Sequence, residues 1–121
     1  SGHIINIGST AGKEVYPKGN VYCASKYAVD AINQGMRIDL NGKGIKVGAI
    51  NPGMVATEFS EVRFKGDSQK ATKVYQGFTP LQAQDIAEII WFTVTRPAHV
   101  NIADLTVMAL DQASSTIVNK K

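Results

Sequence analysis

The chain has 121 residues, within the usual ~50–250 range of a domain and enough for a real core. Its 44% hydrophobic and 19% charged composition excludes intrinsic disorder, and a formal net charge of +3, spread along the chain, gives no nucleic-acid footprint. One cysteine, Cys23, excludes an internal disulfide framework and suits a reducing, cytoplasmic setting, while no apolar run approaches the ~18 residues of a membrane span.

His3–Gly8 reads as a short buried strand, entered with no lead-in and closed by the small polar run Gly8-Ser9-Thr10-Ala11-Gly12. A loop over residues 13–20 carries the breakers Pro17 and Gly19, with Asn20 as the expected N-cap. A helix over Val21–Asn41 follows, with Ala28, Ile32 and Met36 as its apolar stripe and Gly42 and Gly44 as its stop. Ala24, Ala28, Ala31 and Gly35 form a second line of small residues on it, suited to close packing.

Ile45–Ile50 is a second strand, ended by Asn51-Pro52-Gly53. Residues 54–80 are polar, lack strong periodicity and carry Arg63, Lys65, Lys70 and Lys73, which marks a lid or substrate loop. A helix over Gln82–Thr95 sets Ile86, Ile89, Ile90 and Val94 toward a core, with Trp91 packed beside them, and Pro97 ends it. Leu105–Leu110 is the third strand, and Asp111–Lys121 a tail whose terminal lysines are expected to fray. Strand, helix, strand, helix, strand is the order of a parallel α/β sheet. Three strands make a thin sheet, because parallel sheets are normally covered on both faces.

Tyr22 and Lys26 stand four apart at the start of the first helix, so phenol and ammonium share one face. A cation beside a phenol favours the phenolate and equips a tyrosine for acid–base work near neutral pH. With four tyrosines in the chain, chance supplies roughly 0.3 such pairs, so the surroundings decide. In an open α/β sheet ligands sit beyond the carboxyl ends of the strands. Ser9 follows the first strand, Tyr22 and Lys26 begin the helix after it, and Asn51–Thr57 follows the second strand, so all three converge on one edge. Cys23 reads as a structural thiol, Ser25 as orienting the helix start and Asn6 as pairing locally; His3 and His99 are too few and too distant for a metal site.

The strings IINIGSTAG, YCASK and NPGMVATEF, with thirteen residues from Ser9 to Tyr22, resemble the short-chain dehydrogenase/reductase family over nearly the whole chain. The resemblance implies that Tyr22 is the general acid/base, that Lys26 assists it and holds the nicotinamide ribose, and that Ser9 bonds the substrate carbonyl. It implies that Pro52 and Gly53 shape the loop beside the nicotinamide, with Val55 and Thr57 offering a backbone group and a hydroxyl to the cofactor. The segments around Glu58–Asp67 and Arg96–Ile102 resemble a narrower branch, the NADP-dependent 3-hydroxy acid dehydrogenases that act on serine and allo-threonine. An anionic substrate would suit Arg63 or Lys65 near the pocket, though solvated lid charges are an equal reading.

The implied fold is the carboxyl-terminal half of a Rossmann-like doubly wound sheet, with three strands and two main helices, a single partial domain over 1–121 with its lid at 54–80. On this reading the amino-terminal half is absent, and with it the glycine-rich turn that holds the pyrophosphate. The cofactor is expected to be NADP, with NAD as the alternative, bound poorly by these residues alone and without measurable turnover. Expected partners are a small-molecule substrate and a second copy of the chain, brought together by the bare strand edge or the last helix and strand, with no nucleic acid and no membrane. A non-catalytic nucleotide-binding or interaction module that keeps the fold is the alternative, against which the retained Ser9, Tyr22 and Lys26 speak.

Overall fold

The computed structural model describes all 121 residues. Strand β1 (Gly2–Ile7) leads through a 3-10 turn at Thr10–Gly12 into α1 (Asn20–Asp39), which returns the chain to β2 (Ile45–Pro52). Two short helices follow, α2 (Phe59–Arg63) and α3 (Ser68–Val74), then α4 (Ala83–Val94) and β3 (Asp104–Val107). The sheet order is β1-β2-β3, with β1 and β3 each parallel to β2. This is a Rossmann-like α/β arrangement. No helix is long and apolar enough to cross a membrane.

β2 is the middle strand, and its residues Val47, Ala49 and Ile50 are almost wholly buried. Only 17 of the 121 residues are buried, so the core is narrow and centred on this strand. Registers Asn6↔Ala49 and Ala49↔Asp104 put those three residues on one sheet face. That face meets α1: the Asn6 amide donates to Asn33 Oδ1 at 3.2 Å, and Lys13 bridges Asp30 of α1 and Asp104 of β3 at 2.8 and 2.7 Å.

α1 turns Cys23 and Asn33 inward, and leaves Ala24, Ala28 and half of Ile32 exposed. Ala28 and Ile32 of the expected apolar stripe therefore face outward, while Met36 stays half-buried with its sulfur on the Asn6 amide; Asn33 finds partners under the helix, Asn6 and the Ala103 carbonyl at 3.1 Å. Asn20 does not cap this helix; Gly19 holds the N-cap position and no side chain caps it.

Trp91, expected in the core, is 70% exposed on α4, and Thr93 is the buried residue there, its hydroxyl bonded to the Ile89 carbonyl at 2.8 Å. Residues 54–80 are more ordered than their polarity suggests. Asp67 caps α3 by accepting from the Lys70 N–H at 3.1 Å, and the Tyr75 hydroxyl donates to the Val55 carbonyl while contacting Ser60 Oγ, both at 2.9 Å.

The segment after β3 is not a loose tail. Gln112 pairs with Val118 in a short antiparallel bridge, and the Lys121 N–H donates to the Gly77 carbonyl at 2.8 Å. Ser115 donates its N–H to the Glu14 carboxylate and its hydroxyl to Thr10 Oγ1.

Candidate active site

The carboxyl ends of β1 and β2 open into a cleft of about 520 Å³. Ser9, Tyr22, Lys26, Pro52, Gly53, Val55 and Thr57 all line it. Three pieces of backbone deliver them, for local reasons: the turn after β1, the start of α1 and the loop after β2. Ser9 has extended φ and ψ of −168° and 159° and caps the 3-10 turn, its Oγ accepting from the Ala11 N–H at 3.1 Å. That bond uses a lone pair, so the hydroxyl proton remains available to the cleft.

Gly8, just before it, lies so close to β2 that a Cβ there would stand 2.2 Å from Asn51 Oδ1. Asn51 cannot give way easily, since its amide donates to Asp104 at 2.7 Å and to the Leu105 carbonyl at 3.1 Å. Lys13 pulls on the same Asp104. Burial works against both charges, but the bonds and opposite charges of Asp104 and Asp30 hold the Lys13 ammonium above its ordinary range. Bonds from Lys13 and Asn51 likewise outweigh burial and hold the Asp104 carboxyl below its own.

Tyr22 lies in the first turn of α1, its hydroxyl without a protein partner and its carbonyl bonded by Ser25 Oγ at 2.6 Å. Lys26, one turn on, donates to the Ile7 carbonyl at 3.3 Å, with its ammonium 6.0 Å from the Tyr22 ring centre. The Tyr22 ring also meets Phe59 of α2, ring centres 5.6 Å apart and tilted by 44°. Gly12 lets the Ser9 turn press on this helix, since a Cβ there would come within 2.8 Å of the Lys26 carbonyl.

Beyond β2 the chain runs through Pro52 and Gly53 to Val55 and Thr57. A Cβ on Gly53 would stand 2.2 Å from Gln112 Oε1, which accepts the Met54 N–H at 2.9 Å. The Val55 carbonyl is held by Tyr75, while its N–H has no protein partner. Thr57 Oγ1 accepts from the Phe59 N–H at 3.2 Å, leaving its hydroxyl proton free. These unspent donors fit the polar groups of a nicotinamide nucleotide.

Cys23 is fully buried beside the site with no exposure for chemistry. The cleft also takes in residues that no motif marked, among them Tyr16, Tyr75, Gln112 and Ser115. Tyr16 carries a phenol pushed above its ordinary range by burial, which outweighs the nearby Arg63. Glu14 reaches the site indirectly, and the bonds from Ser115 hold its carboxyl below the ordinary range.

A family model described as short chain dehydrogenase matches residues 1–68. The NADP-dependent 3-hydroxy acid dehydrogenase YdfG of Escherichia coli K12 is 50% identical over 113 residues, 93% of this chain and 46% of that protein. An uncharacterized oxidoreductase of Mycobacterium tuberculosis is 47% identical over 115 residues, again 46% of its length. Among solved structures, the closed form of serine dehydrogenase complexed with NADP+ aligns with a TM-score of 0.91 and 47% identity, covering 98% of this chain and 48% of that one. A serine dehydrogenase from Escherichia coli aligns at TM-score 0.71 and 38% identity, covering 92% of this chain and 41% of the other. The chain thus spans about half the length of the curated relatives it matches.

Proposed function

The chain belongs to the short chain dehydrogenase family, and on that premise we propose that it carries the acid–base part of an NADP-dependent oxidoreductase site acting on a small 3-hydroxy acid. The observation that carries this reading is the convergence of Ser9, Tyr22, Lys26 and the Pro52–Thr57 loop on one cleft. The cofactor, when bound, supplies the hydride chemistry, and the protein supplies position and charge.

In the oxidative direction the Tyr22 oxygen takes the proton of the substrate hydroxyl; in reduction its hydroxyl returns one to the carbonyl oxygen. Its unpartnered hydroxyl is open to that exchange. Lys26 places a positive charge 6.0 Å from the ring centre, opposite in sign to the charge the ring holds once deprotonated. The same ammonium is tied to the Ile7 carbonyl and has further protons to offer ribose hydroxyls. The free Ser9 hydroxyl donates to the substrate oxygen where charge develops. The Val55 N–H and the Thr57 hydroxyl are the donors for the carboxamide or phosphate end of the nucleotide.

Tyr22→Phe tests the assignment. In a full-length dehydrogenase that carries this sequence, it should lower turnover by roughly 10²–10⁴-fold and leave NADPH affinity, read by fluorescence, within about twofold. Undiminished turnover would refute the role given to Tyr22.

A further inference from the structure

The cleft is lined by two cationic side chains, Lys26 and Arg63, and by no aspartate or glutamate. Lys26 is engaged with the Ile7 carbonyl. Arg63 has no ionic partner, since the ion pairs of the chain join Lys13 to Asp30 and Asp104. Its one polar contact is Nη1 to the Tyr16 hydroxyl at 3.5 Å, the outer limit of a hydrogen bond. The guanidinium carbon stands 5.6 Å from the Tyr16 ring centre and 5.8 Å from that of Phe64, inside cation–π range. Two rings thus steady the group without neutralising it.

Arg63 also has a fixed relation to the acid–base residues. It lies four residues after Phe59 on α2, on the same face one turn along. Phe59 is the residue whose ring meets Tyr22. Lys65, the other basic candidate in this stretch, lies beyond the end of α2 at φ 54° and is not among the cleft residues.

We propose that Arg63 anchors the carboxylate of the substrate, with the Tyr16 hydroxyl as an additional donor. The proposal rests on the hydroxy acid reading above and adds which residue recognises the acid. The planar fork of a guanidinium matches a carboxylate with two parallel bonds, which a lysine ammonium does not reproduce. A phenol is protonated at neutral pH in its ordinary range, and burial pushes that of Tyr16 higher still, so it remains a neutral donor. Gripping the carboxylate at Arg63 and the hydroxyl at Ser9 and Tyr22 would distinguish hydroxy acids from plain alcohols.

The test compares 3-hydroxypropionate with its uncharged methyl ester in an NADP-loaded dehydrogenase carrying this sequence, as wild type, Arg63→Gln and Arg63→Lys. Arg63→Gln should raise KM for the acid by roughly 10–100-fold and move that of the ester far less, with Arg63→Lys recovering part of the loss. The inhibition constant of propionate, which binds without reacting, should rise in parallel with the KM of the acid. Arg63 is exposed, so neither variant threatens folding. Acid-to-ester KM ratios and propionate inhibition that stay unchanged in Arg63→Gln would overturn the proposal. The Tyr22→Phe variant separates the two claims: it should lower turnover of acid and ester alike while leaving propionate binding intact.

Discussion

Gln112 offers the sharpest stability test of how the site is held. Its side chain is 5% exposed, accepts the Met54 N–H at 2.9 Å and donates to the Ser114 carbonyl at 3.1 Å. Gln112→Ala leaves one donor and one acceptor without partners, each costing about 1–3 kcal/mol when buried. The cleft admits water to one side, so the lower half of that range applies and the expected loss is about 2–4 kcal/mol. Urea unfolding, read as a change of midpoint at constant slope, measures it. A second variant checks the geometry. Gly53→Ala drives a methyl into Gln112 Oε1, and Gln112→Ala removes that clash, leaving only a tight contact with the flexible Met108 side chain at 3.1 Å. The double variant should therefore fall short of additivity by about 0.5–3 kcal/mol. A Gln112→Ala loss below about 0.5 kcal/mol, the level of an ordinary surface change, would refute the claim that this residue holds the Gly53–Thr57 loop.

Three charged groups give a pH profile. The folded Glu14 and Asp104 carboxyls lie below their unfolded values of ~4.3 and ~3.9, so their contribution is complete above those values and is lost as pH falls through the folded ones. The raised Lys13 contributes fully below its unfolded ~10.4 and loses its share as pH rises past the folded value. Stability from these contacts should therefore form a plateau with an acid and an alkaline edge; Lys13→Met should erase the alkaline edge and cost about 1 kcal/mol at neutral pH, and a thermal-melt pH series in which it does not would contradict the bridge. Tyr75→Phe removes the hydroxyl shared by Ser60 and the Val55 carbonyl and should cost about 1–2 kcal/mol. Adding Ser60→Ala to it should cost less than Ser60→Ala alone, and full additivity in denaturant titrations would show the two bonds to be independent.

The strand–helix–strand order was legible because it is written in local periodicity, and the placement of Ser9, Tyr22 and Lys26 at one edge follows from that order. Helices of five and seven residues, α2 and α3, were not legible, being too short to show a hydrophobic repeat. Trp91 misled because indole burial depends on neighbours rather than on its own helix position. The inward face of α1 was hidden for a related reason: periodicity favours Ile32, whereas Asn33 is buried by bonds to groups 27 and 70 residues away. The contribution of residues 111–121 was invisible, since Ser115 meets Glu14 and Thr10 across 101 and 105 residues through small polar groups that form no pattern.

That last contact bears on the order in which the site can be made. At a synthesis rate of ~5–20 residues per second, the Ser9 turn is made roughly 5–20 s before Ser115 exists to brace it. Through that interval the strand, the phenol and the ammonium could already be folded together around an unbraced turn. Bracing of the cleft wall at Thr10 and Glu14 therefore waits for Ser115, well after the strand and helix that carry Ser9, Tyr22 and Lys26 have been made.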